Sequence, residues 1–339
     1  MCMKMNKLFL FYLFGLSLII SCGKPNDPES IIPDDTSGGY KIVKKITTAG
    51  YAQDVLKKDD LLYISQGEGG LMIVDVADPM NPVTVSVTTE YMQGYSNRLA
   101  IQDSILYISA GTNGTFVVNV SDPFAPFRVE VSSPFKPARV VHVFRGYLFT
   151  SVSENGVKLS EISYPAEPDP RGGISTPGYA YGMATTADSN YLMVACGEMG
   201  LSVYDIYKIK EGFGPFKQVG WCDTPGYAEE VAVDNERSLA FLTCGTAGLQ
   251  IIDYSDTTDI HITGFYDGSG YAKALMYKDK QVFIAAELSG LQVVDVTNPA
   301  NPTLIGEVDT DFAWALDMDE NYIYLADDKE GVQIISIPK

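Results

Sequence analysis

The 339-residue sequence predicts an all-β protein, a seven-bladed β-propeller built from four-stranded antiparallel blades. Three observations predict it. A six-residue apolar phrase returns seven times, a glycine stands immediately before each copy, and successive units open 41 to 48 residues apart. A repeat of about 40–50 residues with room for four short strands is the pattern of a propeller blade.

The phrase reads LMIVDV (71–76), TFVVNV (115–120), VKLSEI (157–162), LSVYDI (201–206), LQIIDY (249–254), LQVVDV (291–296) and VQIISI (332–337). A second apolar run precedes each glycine, as in LLYIS (61–65), YLMVA (191–195) and YIYLA (322–326). These runs are short, rich in β-branched and aromatic residues and bounded by polar turns such as Lys58-Asp59-Asp60, so they are strands. Each unit also opens with a related phrase, among them GYAQDV (50–55), GYAEEV (226–231) and DFAWAL (311–316). In the first unit strand A falls near 53–57, B at 61–66, C at 71–76 and D near 83–88, with Pro79 and Pro82 setting the C–D turn. The seventh unit runs only to its strand C, and residues 40–48 (YKIVKKITT) are one spare strand ahead of the first unit. Joining that strand to the last blade closes the ring and leaves no open terminal edge.

Two stretches, GLQVVDVTNPANPTLIG (290–306) and GLMIVDVADPMNP (70–82), give the chain its resemblance to the LVIVD-repeat family of bacterial β-propellers. The resemblance spans residues 40–339 and implies the same propeller fold, with little assigned chemistry. The third unit departs from it at Lys158, Ser160 and Glu161, and the fourth carries an insert over residues 208–217.

The N-terminus predicts a compartment. Lys4 and Lys7 precede an apolar run of 13 residues (8–20), which suits a secretory signal better than a membrane span. The run ends Ile19-Ile20-Ser21-Cys22-Gly23, which resembles a lipobox with Cys22 as the lipidated residue. The expected organisation is a lipoprotein signal peptide (1–21), a flexible tether rich in Pro, Asp, Ser and Gly (22–39) and the propeller (40–339). By resemblance to other bacterial lipoproteins, Gly23 implies the outer membrane. Residues 24–29 are similar to the surface-export tethers of Bacteroidetes-type lipoproteins, implying display on the cell surface. The membrane is then one partner, through Cys22. A formal charge of −19 excludes nucleic acid as another. Cys196, Cys222 and Cys244 remain beyond the signal, an odd number, so no disulfide lattice is expected.

The recurrent acids Asp75, Asp205, Asp253 and Asp295 end strand C, third from the axis, and are expected to accept backbone N–H bonds from their own C–D turns. The opening tyrosines, Tyr51, Tyr95, Tyr179, Tyr227 and Tyr271, are expected to wedge neighbouring blades. A site is expected at the axis, where the B–C loops and the starts of strand A share one face. Asp54, Arg98, Arg139, Tyr181, Glu229, Glu230, Lys273 and Trp314 are the binding candidates in an acidic, aromatic-containing mouth. The expected function is a monomeric envelope scaffold that binds an unknown protein, peptide or glycan. The alternative is a calcium-dependent, lactonase-like hydrolase with Asp54, Glu68, Glu198, Glu229 and Glu230 around the cation. Catalytic residues are not assigned: the two histidines, His142 and His261, fall in different units, and His142 is expected to be a satisfied core residue.

Overall fold

The structure, a computed structural model, describes residues 35–89, 98–129, 135–211 and 216–339. Cys22, the signal sequence, nearly all of the tether and Tyr95 lie outside the described residues.

Seven four-stranded antiparallel sheets form the fold, six of them from four consecutive strands. Blade 1 runs outward from the axis through Asp54–Lys58, Leu61–Ser65, Leu71–Asp75 and Val83–Thr88. Blade 7 is built from both ends of the chain. Ala315–Met318, Tyr322–Ala326 and Val332–Ser336 supply its inner three strands, and Lys41–Ile46 its outer one. Lys41 pairs with Ser336 and Ile46 with Val332, so the expected closure is present. The folded unit starts slightly before that strand, at Ser37. Gly38, read from sequence as tether, packs so closely on blade 6 that a Cβ there would lie 1.9 Å from the Ile305 carbonyl oxygen.

Strands B and C of each blade are almost wholly buried, as in Leu71–Asp75 and Tyr322–Ala326. Their apolar residues interleave between blades: Phe283 of blade 6, Leu325 of blade 7 and Ile64 of blade 1 belong to one buried cluster. Outer strands are exposed and carry a bulge in six blades, for example between Ile73 and Val74 of the C–D ladder in blade 1. Such bulges twist an otherwise open edge.

The phrase acids take the turn role expected of them. Asp75 accepts Ala77 N at 2.9 Å, Asp205 accepts Tyr207 N at 2.9 Å, Asp253 accepts Ser255 N at 2.8 Å and Asp295 accepts Thr297 N at 2.6 Å. Cys196, Cys222 and Cys244 are free and buried. Among the described residues no helix is long and apolar enough to cross a membrane.

One backbone motif positions the site. In six blade-to-blade junctions a B–C loop residue bridges to an alanine that starts the next blade: Asp328 to Ala52, Gly111 to Ala138, Ser153 to Ala180, Gly197 to Ala228, Gly245 to Ala272 and Glu287 to Ala313. The loop partner always has positive φ, from 43° at Asp328 to 57° at Gly197 and Gly245. Each of these alanines is nearly or fully buried, which fixes the direction of the residue after it.

Candidate functional site

The residue after each bridging alanine points to the axis. Read around the ring, this position holds Gln53, Arg139, Tyr181, Glu229, Lys273 and Trp314, and all six line one cavity of about 800 Å³. Arg98 and residues 110–112 line it from blade 2, so every blade contributes. Tyr51, Pro137, Val140, Asp328 and Lys329 complete the wall.

The next position along strand A makes the floor. Arg98 Nη1 lies 3.3 Å from Asp54 Oδ1, and Arg98 Nη2 pairs with Glu230 from across the ring. Asp54 is only 6% exposed and also accepts Leu99 N at 2.7 Å, tying blade 1 to blade 2. Burial raises its carboxyl pKa to about 6, although the Arg98 charge opposes the rise. Glu230 is shifted upward for the same reason. Glycine at position 182 makes room for this plug, since a Cβ there would lie 2.3 Å from Glu230 Oε1.

Glu229 dominates the far wall. It accepts Tyr271 OH at 2.8 Å and Lys273 Nζ at 3.0 Å. The same ammonium sits 5.4 Å from the Trp314 ring centre, and Trp314 in turn packs on Phe312 at 5.4 Å. Tyr227 meets Tyr181 edge-on at 5.5 Å and donates its hydroxyl to the Tyr181 oxygen at 3.3 Å. These rings also serve as the expected wedges: Tyr227 lies over Gly197, and Tyr271 over Gly245, closely enough to exclude a Cβ at either glycine. Tyr51 and Tyr179 differ: Tyr51 is 49% exposed at the cavity edge with Lys329 Nζ 5.7 Å from its ring centre, and Tyr179 is exposed with its hydroxyl donated to Glu154 at 2.6 Å.

Six of the eight binding candidates thus line the cavity, while Asp54 and Glu230 lie beneath it as partners of Arg98. The mouth is not acidic, as the sequence suggested. Its lining carries four cations, Arg98, Arg139, Lys273 and Lys329, against Glu229 and Asp328. The rim acids Glu68 and Glu198 are exposed and absent from the wall. The five carboxylates considered for calcium therefore do not form one site: two hold a guanidinium, one holds an ammonium and two face solvent. Among the described residues no three His, Cys, Asp or Glu side chains converge as a metal site would require.

His142 sits in the inner strand of blade 3 with Nε2 3.2 Å from Thr185 Oγ1. Surrounding protein lowers its pKa to about 4, so it is a neutral, partnered histidine as expected. His261 is exposed on an outer strand, with Nδ1 2.9 Å from the Asp259 carbonyl oxygen.

Sequence reasoning missed Thr112, Pro137 and Lys329 as wall residues. Thr112 and Lys329 occupy the loop position that holds Glu68 and Glu198 in other blades, and the choice of acids alone hid them.

A sequence model of the LVIVD repeat matches residues 49–89, 93–131, 269–310 and 312–337, which are blades 1, 2, 6 and 7. The chain thus carries four recognisable LVIVD repeats. No curated protein matches the sequence. Solved structures match by fold. The WD40 β-propeller domain of Doa1 superposes with a TM-score of 0.66 at 12% identity, covering 89% of this chain and 98% of that one. The computationally designed Ika8 protein gives 0.62 at 9% identity, covering 87% and 99%.

Proposed function

We propose that this LVIVD-repeat propeller is a binding module of the cell envelope, held by a lipid on Cys22 and seating its ligand in the channel mouth. One observation carries the reading: a cavity of about 800 Å³ to which all seven blades contribute, lined at a position where the blades differ from one another. The alanine before that position recurs at six junctions, whereas the residue after it is Gln, Arg, Tyr, Glu, Lys or Trp. A repeat that holds its framework constant and varies the one inward-facing residue has the makings of a recognition surface rather than of added packing. Aromatic faces beside fixed polar groups suit binding.

The lipobox-like Ile19-Ile20-Ser21-Cys22 and Gly23 support attachment to the outer membrane, and residues 24–29 support outward display. The test uses the intact chain in its own membrane. Cys22→Ser should release the protein into the soluble fraction. Co-purification of a partner or glycan should survive Glu68→Gln, on the rim, and be lost in Trp314→Ala. A partner retained equally by all variants would move the site away from the mouth. A Cys22→Ser chain that stays in the membrane would remove the lipid anchor.

A further inference from the structure

The cavity charges are not evenly spent. Arg98 is neutralised from below by Asp54 and Glu230, and Lys273 by Glu229. Arg139 donates only its Nε, to Ser153 Oγ at 3.1 Å, and its two Nη groups meet no carboxylate among the described residues. Lys329 rests against the Tyr51 ring and likewise forms no ion pair among the described residues. In a chain of net charge −19, two uncommitted cations lining one cavity, one from blade 3 and one from blade 7, are a departure from the general surface. Beside them stand the rings of Tyr51, Tyr181 and Trp314. Two buried polar atoms of the same wall, Gln53 Oε1 and Trp314 Nε1, have no hydrogen-bond partner among the described residues.

We infer that the mouth takes a carboxylated sugar, a uronic-acid unit of a glycan. The inference rests on the mouth being the binding site, as proposed above. A pyranose ring has an apolar C–H face that stacks on Trp and Tyr, and hydroxyls that match Glu229, Tyr181 and Thr112. A carboxylate at C6 matches the planar fork that Arg139 leaves open, because guanidinium binds carboxylate through two parallel N–H bonds. A neutral sugar would leave that fork and Lys329 without a counter-charge, so the wall selects the acid form.

Titration of the full chain with trigalacturonate and, separately, with the neutral galactotriose tests the inference. A Trp221→Phe background leaves Trp314 as the fluorescent reporter, Trp221 lying on an outer strand 45% exposed. Trigalacturonate is expected to change Trp314 emission and to bind at least about tenfold more tightly than galactotriose. Arg139→Gln should remove that tenfold preference, and raising the salt should weaken the acid sugar only. Equal affinity for both sugars, each still changing Trp314 emission, would overturn the charge inference and leave the mouth as the site. Trigalacturonate binding that is unchanged in Arg139→Gln and in Lys329→Gln would place the sugar elsewhere and overturn the uronate assignment. Binding of neither sugar would overturn the uronate assignment alone, since the membrane co-purification above measures the mouth independently.

Discussion

Replacing Arg98 by Met removes the cation that lies between two buried carboxylates while keeping side-chain length. Asp54 is 6% exposed, and Glu230 crosses the ring to reach the same guanidinium. Taking one partner from a buried ion pair costs about 3–5 kcal/mol, because the remaining charge has lost both water and its counter-ion. The wild-type cluster is already strained in this sense. Asp54 titrates at about 6 in the folded protein, against ~3.9 for a free carboxyl, a gap of about 3 kcal/mol at ~1.36 kcal/mol per tenfold. Its folded pKa is the higher one, so stability from this group is present below about pH 4 and is lost as pH rises to about 6. Without Arg98 both carboxyls move further up and stay protonated to higher pH. Urea unfolding followed by circular dichroism should therefore show Arg98→Met about 3–5 kcal/mol less stable at pH 7 and much closer to wild type at pH 5. Adding Asp54→Asn and Glu230→Gln should recover most of the loss at pH 7, since no buried charge then remains. A deficit under about 1 kcal/mol at pH 7, or the same deficit at both pH values, would refute the reasoning.

Other positions give sharp expectations of their own. His142 runs opposite to Asp54: its folded pKa of about 4 lies below the ~6.5 of a free imidazole, so its contribution is present above pH 6.5 and lost as pH falls toward 4. His142→Gln should flatten the acid limb of the stability curve over that window, and an unchanged limb would show that the ring is solvated. Gly264→Ala would place a Cβ 1.9 Å from the Pro299 carbonyl oxygen, a backbone atom that cannot swing aside. A loss of about 2 kcal/mol is expected, visible as a lowered urea midpoint, and an unshifted midpoint would contradict the blade-to-blade contact. Cys196 and Cys244 are fully buried with pKa values pushed up to about 11 and about 12, so alkylation of the native protein at pH 8 should leave both unmodified by peptide mass spectrometry. Rapid labelling of either would mean that its blade opens.

Much of the architecture was open to sequence reading because seven copies of one unit act as an internal alignment. The strand C phrase, its leading glycine and the turn-capping acids are each fixed by a backbone need that every blade shares. Asp75 and Asp253 make the same turn contact in blades of different sequence. The candidate site was only partly legible. Position along strand A correctly brought Arg139, Glu229, Lys273 and Trp314 together, since period-2 alternation and radial symmetry decide what faces the axis. Charge within the mouth was not legible. Whether Glu230 is a free acid or half of an ion pair depends on Arg98, 132 residues away and in a different blade. A sharper signal was present in the alanine that recurs before the inward residue, which sets off a framework position from a variable one.

The pairing of Lys41–Ile46 with Val332–Ser336 has a consequence for how the protein is made. Six sheets can be completed in the order in which they are synthesised, but the seventh takes its outer strand from the start of the folded unit and its inner three from the end. Closure joins residues nearly 300 positions apart, the kind of non-local step that comes late in folding. A nascent chain halted anywhere before its last strand cannot finish the circle, and its first strand stays without a sheet to join. The ring thereby depends on its last strand, and only a chain that reaches Ser336 gives Lys41–Ile46 a sheet to join.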